Sequence, residues 1–280
     1  MKTIVIFAHY NPDNKIKDYV IYYLEQLKVI SDEIIFVSTS PLGNQEQKKI
    51  VPFVAKIIIR KNIGYDFHSY KTGIENIKDL ANYDQLILCN DSCYGPLFSL
   101  KDISIQMNNQ KIDFWGITSS NLLKFHLQSY FLVFNKQTLL ANCFMDFWKN
   151  LPIYQNRKDI VYNYEIELTQ RLTANNYHAA SYVPLDLKIP LFWLMNRHIS
   201  LLIKRYLIHS TNYSTLGNVL KFRRCSELDK TIILWDYIIQ KYKMPFIKTN
   251  IFRRKIASPS HIKDIIKQVN PNFNLNFDHE

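Results

Sequence analysis

The chain has 280 residues, of which 47% are apolar and 14% aromatic, and it carries a formal charge of +11. That apolar content excludes intrinsic disorder, and the absence of any uninterrupted run of ~18 apolar residues excludes a membrane-spanning helix. The basic balance calls for an acidic partner: a nucleotide, anionic lipid head groups or a nucleic acid.

Residues 3–8 read as a short apolar strand that leaves through His9-Tyr10-Asn11-Pro12-Asp13, a polar exit rich in turn formers. Residues 16–28 then carry Val20, Tyr23, Leu24 and Leu27 at helical spacing. Strands are predicted over 33–38 and 56–59; the first is broken by Ser38-Thr39-Ser40-Pro41-Leu42-Gly43, and the second runs into Arg60-Lys61-Asn62-Ile63-Gly64-Tyr65-Asp66. A helix over about 67–77 leads to Leu86-Ile87-Leu88-Cys89, a buried strand that delivers Asn90-Asp91-Ser92 into a Gly95-Pro96 turn. Residues 113–118 and 130–135 are further strands, and 146–150 and 162–174 are helices. After Pro190 the texture changes. Residues 191–208 interleave apolar groups with Arg197, His198, Lys204 and Arg205, the pattern of a basic amphipathic helix. A second helix is expected over 231–242, a short apolar run over 245–251, and a loosely ordered tail from Pro271. Strands alternating with helices predict an α/β fold with a mostly parallel sheet covered on both faces. The expected division is a catalytic domain over 1–190 and a basic, mostly helical extension over 191–280.

The four cysteines, Cys89, Cys93, Cys143 and Cys225, have neither zinc-finger nor disulfide spacing and read as buried thiols. Met1-Lys2-Thr3 enters a strand directly, with no leader pattern, so a reducing cytoplasmic location is expected.

The polar cluster at Asp91 carries the most chemistry. The carboxyl end of a buried strand is where open α/β sheets bind ligands, and a carboxylate there suits a divalent metal and, through it, a phosphate. The bland alternative is turn and cap chemistry. Asn62-Ile63-Gly64-Tyr65-Asp66 sits at a strand-to-helix junction, whose backbone N–H groups suit a phosphate or nucleotide; its bland alternative is a turn with Asp66 as helix N-cap. Glu165 and Glu167 lie near the start of the helix over 162–174 and point in different directions. One of them facing a cleft could act as a base, whereas acids in a first turn are also favoured by the helix dipole. His126, Gln128, Ser129 and Tyr130 gather donors and acceptors that suit hydroxyl-rich ligands, although lone histidines such as His126, His198 and His209 are more often packing residues. No nucleic-acid motif accompanies the positive charge, so nucleic acid is not expected as a partner.

Taken in order, Arg60–Lys71, Cys89-Asn90-Asp91-Ser92-Cys93-Tyr94-Gly95-Pro96, residues 113–118, His126-Leu127-Gln128-Ser129-Tyr130-Phe131 and Pro245-Phe246-Ile247-Lys248 resemble the rhamnan synthesis F family of bacterial polysaccharide glycosyltransferases. More distantly they are similar to the inverting GT-A class. The resemblance implies a GT-A-like fold and a nucleotide-sugar donor, dTDP-rhamnose or a UDP-hexose. It implies transfer to a glycan or lipid-linked glycan at the inner face of an anionic membrane, in capsule, O-antigen or rhamnan synthesis. With it, donor contacts are expected at His9, Tyr10, Asn62, Gly64, Asp66, Lys71, Asn90, Asp91 and Ser92, of which Asn62, Gly64 and Asp91 match the class's own motifs, and acceptor contacts at Trp115, His126, Gln128, Ser129 and Tyr130. Asp91 becomes the ligand of a Mg²⁺ or Mn²⁺ ion, although Asn90 and Ser92 stand where the class carries further acids. Glu165 becomes the catalytic base, with Glu167 as second candidate. The alternative function is a non-catalytic sugar- or nucleotide-binding module in which Asp91 and Glu165 serve as caps.

Overall fold

The structure, a computed structural model, describes residues 1–121, 123–154, 156–184, 229–271 and 273. The helix expected over 191–208, with His198, and also His209, Cys225 and the tail beyond 273, lie outside the described residues.

Seven strands form one sheet. In spatial order they are β10 (Ala179–Ser181), β6 (Phe114–Gly116), β9 (Phe131–Asn135), β4 (Gln85–Asn90), β1 (Thr3–His9), β2 (Glu33–Ser38) and β3 (Lys56–Ile59). β9 runs antiparallel to both β4 and β6, and every other pairing is parallel. The expected mostly parallel sheet is therefore present, with one reversed strand.

The central strands are apolar through their middles, Ile4 to Ala8 and Leu86 to Cys89, because helices cover both faces of the sheet. All seven residues of β1 and all six of β4 are buried. Val5 and Phe7 point into one layer, while Ile4, Ile6 and Ala8 point into the other. The first layer holds α1 (Asp18–Lys28), through Val20, Tyr23, Leu24 and Leu27, together with the helices Trp235–Tyr242 and Pro259–Val269. The second holds α3 (Tyr65–Glu75), the helix Asn142–Lys149 and the helix Glu167–Ala174. Each large apolar side chain enclosed in this way contributes about 1.5–3 kcal/mol.

The C-terminal region returns to the middle of the molecule. β11 (Ile247–Lys248) pairs antiparallel with β5 (Cys93–Tyr94), just beyond the end of β4. Leu97 N–H donates to Pro245 O at 2.7 Å and Thr249 N–H to Ser92 O at 2.9 Å, which closes the clamp on both sides. Gly95 takes φ +135° here, and a Cβ on it would stand 2.4 Å from Pro245 O. Among the described residues no helix is long and apolar enough to cross a membrane.

Helix α3 carries part of the candidate site, and its depth against the sheet is set at Gly73, where an added Cβ would stand 2.4 Å from Ile6 Cγ2. Gly73→Ala gains helix propensity of about 1 kcal/mol, but overpacking against a β-branched core residue costs about 1–3 kcal/mol. The expected net outcome is a lower urea midpoint; an unchanged or raised midpoint would mean that α3 can shift outward freely.

Candidate functional site

The parallel register of β1 and β4 sets Ala8 opposite Asn90 and so brings His9 beside Asp91, with Nε2 3.8 Å from Oδ2. Asp91 is anchored from two sides: Tyr10 N–H donates to Oδ2 at 3.0 Å, and the Tyr19 hydroxyl donates to the Asp91 carbonyl at 3.2 Å. Its side chain is only 12% exposed. Burial pushes this carboxyl up to about 8; the Asp66 charge adds to the rise, while the Tyr10 N–H and the Arg253 charge oppose it. Burial conversely drives His9 down to about 4, so the imidazole is neutral at physiological pH. His9 Nδ1 lies 2.9 Å from Ser38 Oγ, whose own proton goes to Ser40 O at 3.1 Å. Nε2 is buried on the side of Asp91, without a hydrogen-bond partner among the described residues.

Two bonds of Arg60 go to the carbonyls of Lys61 and Ile63 at 2.9 and 2.7 Å, and a third goes to Tyr65 O at 2.6 Å. One guanidinium thus shapes the whole junction between β3 and α3. Gly64 takes φ +74° there, and a Cβ on it would strike the His68 ring at 2.2 Å. The reading of Asp66 as N-cap is corrected: Gly64 holds the cap position, and Asp66 lies one residue inside the helix. There its Oδ2 accepts from Asn90 Nδ2 at 2.8 Å. Burial raises the Asp66 carboxyl to about 6, against the Asn90 hydrogen bond and the Arg60 charge and with help from the Glu165 charge. Asn90 Oδ1 in turn accepts from Ser92 N and Ser92 Oγ at 3.1 and 2.6 Å. Between the ends of β1 and β2 and this junction opens a cleft of about 350 Å³, bounded by Tyr10, Thr39, the 62–66 loop and Tyr154.

Glu165 reaches the same neighbourhood from another element. The helix expected over 162–174 is present but starts earlier, at Arg157, and passes through a π-helical segment, Val161–Ile166, before Glu167–Ala174. The two acids are therefore not in a first turn, and the helix-dipole account of them is withdrawn. Ser129 donates to Glu165 Oε1 through both its hydroxyl and its N–H, the latter at 3.2 Å. His126 Nε2 stands 3.9 Å from Oε2. Tyr164, beside it, is pinned by its hydroxyl to Pro152 O and packs on Phe67 with ring centroids 5.0 Å apart. Glu167 points elsewhere and binds Arg171 at 2.9 Å. A π-turn of this kind re-aims a side chain and is frequent at functional sites.

Other expected contacts are placed differently. Trp115 is 1% exposed and packs on Phe131 in the core, so neither face of its ring is open to a ligand. Tyr130 is also buried, its hydroxyl 2.7 Å from Thr118 Oγ1, and Thr118 donates to Gln128 Oε1. Lys71 donates to Lys149 O. Asn62 and Ser92 are exposed at the cleft rim and at the Asp91 turn respectively. Sequence reasoning missed Ser38, Tyr154 and Arg253, and used Arg60 only as part of a resemblance; no local motif marks any of them. A larger hollow, about 670 Å³, lies at the opposite end of the sheet around Lys111, Lys136 and His178, away from these carboxylates.

Asp91 and the unpartnered His9 nitrogen form an oxygen-and-nitrogen pair that fits a divalent cation, provided that water and phosphate oxygens complete its shell. Among the described residues no group of three or more His, Cys, Asp and Glu side chains could hold a metal alone.

A family model described as rhamnan synthesis protein F matches residues 34–186. Among curated relatives, an uncharacterized protein (y4gN) of Sinorhizobium fredii is 29% identical over 160 residues, 55% of this chain and 42% of its own length. Virulence protein VirA of Vibrio anguillarum is 28% identical over 220 residues, 76% of this chain and 66% of its own. The chain thus spans less than two thirds of either relative. Among solved structures, a mannosyltransferase of Pyrobaculum calidifontis in complex with GDP-Man and Mn²⁺ aligns with a TM-score of 0.44 and 9% identity, covering 96% of this chain and 81% of that one. A cytidylyltransferase of Leptospira borgpetersenii aligns with a TM-score of 0.40 and 13% identity, covering 80% and 94%.

The raised Asp91 carboxyl predicts a stability signature. Unfolded, the group titrates near 4; folded, it does so at about 8. Between those values the native state holds a proton that the unfolded state has lost, so stability falls as pH rises. His9, depressed to about 4 from 6.5, acts in the opposite direction, but only below pH 6.5, and the Asp66 contribution is spent by about pH 6. Among the described residues with a shifted carboxyl or imidazole, Asp91 is the group that gives the slope from pH 6.5 to 8. Asp91→Asn is expected to flatten that slope and raise stability at pH 8 by on the order of a few kcal/mol, read by urea denaturation at each pH. A variant that keeps the wild-type slope would refute the assignment.

Proposed function

This chain belongs to the rhamnan synthesis protein F family, and we propose that it is a glycosyltransferase of bacterial surface-polysaccharide synthesis. In this reading it moves a sugar from a nucleotide-diphosphate donor, dTDP-rhamnose or a UDP-hexose, to a glycan acceptor by an inverting single displacement. The observation that carries the reading is the convergence of three carboxylates from three elements. Asp66 feels the charge of Glu165, Asp91 feels that of Asp66, and Tyr70 beneath them feels all three. A structural cap has no reason to gather acids whose mutual repulsion and burial cost stability; shifted carboxyls clustered beside a cleft are the mark of a site shaped for chemistry.

The nucleotide occupies the cleft of Tyr10, Thr39 and the 62–66 loop, with Tyr154 beside it and its diphosphate directed toward Asp91. Glu165 acts as the base. Ser129 engages Oε1 twice, which leaves Oε2 as the oxygen free to accept a proton. That oxygen takes the proton of the acceptor hydroxyl, the hydroxyl oxygen attacks the anomeric carbon, and the bond from that carbon to the phosphate oxygen breaks. Its electron pair leaves with the nucleoside diphosphate. Asp91, with His9 Nε2, would hold a divalent cation, which when bound supplies positive charge to the departing diphosphate. The acceptor is a glycan or lipid-linked glycan, and the excess positive charge suits an anionic membrane face.

Purified protein with Mg²⁺ or Mn²⁺, a panel of dTDP-, UDP- and GDP-sugars and a glycan acceptor is expected to release nucleoside diphosphate. Glu165→Gln should lower kcat by about 10²-fold or more while leaving donor KM within a few-fold. Glu167→Gln, which removes only a surface pair with Arg171, should stay close to wild type. Loss confined to Glu167→Gln would move the base; no release with any donor would favour the non-catalytic binding module.

A further inference from the structure

The helix Asn250–Arg253 follows β11 directly and is held against the Asp91 turn by two contacts. Thr249 N–H donates to Ser92 O at 2.9 Å, and the Phe252 ring meets Tyr94 edge-on with centroids 5.0 Å apart. Tyr94 in turn contacts Tyr19, whose hydroxyl holds the Asp91 carbonyl. Arg253 leaves this packed helix as an exposed side chain, near enough for its charge to act on the Asp91 carboxyl. Among the described residues it makes no side-chain hydrogen bond or ion pair.

Three other basic groups around the site are already held. Arg60 is spent on the carbonyls of the 61–65 loop and Lys71 on Lys149 O. Lys248 is bonded to Asp229 Oδ2 at 2.9 Å and lies over the Tyr130 ring. A long cation without a partner among the described residues, on a docked backbone beside buried acids, is arranged for an anion that is not part of the protein. Arginine suits a phosphate in particular, because its planar fork offers two parallel N–H donors.

We propose that Arg253 binds the terminal phosphate of the nucleoside diphosphate in this cleft, so that the C-terminal clamp supplies positive charge on the leaving-group side of Asp91. The proposal rests on the donor-binding reading above and adds a residue to it from outside the matched segment. Arg253 thus discriminates a diphosphate from a monophosphate, while the base and ribose are held by the cleft.

Calorimetric titration of the full chain with UDP, dTDP, GDP and CDP in Mg²⁺, and with the matching monophosphates, tests it without any need for turnover. Arg253→Ala is expected to weaken the preferred diphosphate by about tenfold or more and its monophosphate by no more than about twofold. Arg253→Lys should retain part of the difference, because it restores the charge but not the fork. Lys267→Ala removes the same charge from an exposed position on the helix Pro259–Val269 and should leave both affinities unchanged. Equal weakening of di- and monophosphate, no weakening in Arg253→Ala, or the same loss in Lys267→Ala would overturn the role of Arg253 alone. Failure of every diphosphate to bind wild-type protein would overturn it together with the donor-binding reading.

Discussion

The site depends on one pairing: β1 and β4 run side by side and parallel, with Ala8 opposite Asn90. Both strands are buried along their whole length, so neither can slide by one residue without turning its apolar set to the wrong layer. That register fixes where both strands end. His9 and Asp91 emerge at the same height, and the first polar groups after two apolar strands are forced into mutual contact at the edge of the core. The cost of burying them is met by backbone and amide donors. Tyr10 N–H donates to Asp91 and the Asn90 amide to Asp66, while the Ser92 turn holds Asn90 in place through its side-chain oxygen.

Around this point the molecule assembles a site from segments far apart in sequence. Arg60 sets the β3–α3 loop through carbonyl contacts, and that loop presents Asp66 to Asn90. The π-turn presents Glu165 to Ser129. The C-terminal clamp lays Lys248 and Arg253 along the far side of the Asp91 turn. These elements share the two hydrophobic layers, so rigidity of the core becomes precision at the site.

Much of this was legible in the sequence where long-range apolar patterning carried the information. Residues 3–8, 33–38 and 86–89 declared their strands because buried strands read as near-continuous apolar runs, and 56–59, an edge strand, did so through its three consecutive isoleucines. The helices Asn44–Ile50, Leu100–Asn108 and Pro259–Val269 were not foreseen, for different reasons. The first buries only Ile50 and has almost no apolar stripe. The other two carry proper signals, Ser99 and Ser258 as N-caps ahead of spaced apolar residues, which went unread. The two-residue pairing of β5 with β11 has no periodicity to detect and joins segments over 150 residues apart in the numbering. Glu165 was legible as an acid on a helix, but its aim was not, because a π-turn shifts the register that a 3.6-residue count assumes. Trp115 differs in the opposite way: the resemblance made it an acceptor contact, whereas β6 turns it into the core.

The same contrast resolves the apparent poverty of the Asp91 motif. In one dimension Asn90 and Ser92 replace acids, and the motif retains a single carboxylate. In three dimensions the second carboxylate is present, contributed by Asp66 from the first turn of α3 and tied to Asn90 at 2.8 Å. Asn90 therefore does what a neighbouring acid could not: its amide donates to one carboxylate while its oxygen organises Ser92. An acid at position 90 would add a third negative charge against two carboxyls already pushed up to about 6 and 8, and like charges so enclosed hold protons rather than cations. The amide keeps the acid count at the number this burial can sustain, and it leaves room for positive charge to arrive from elsewhere, from a bound cation or from an arginine on the clamp.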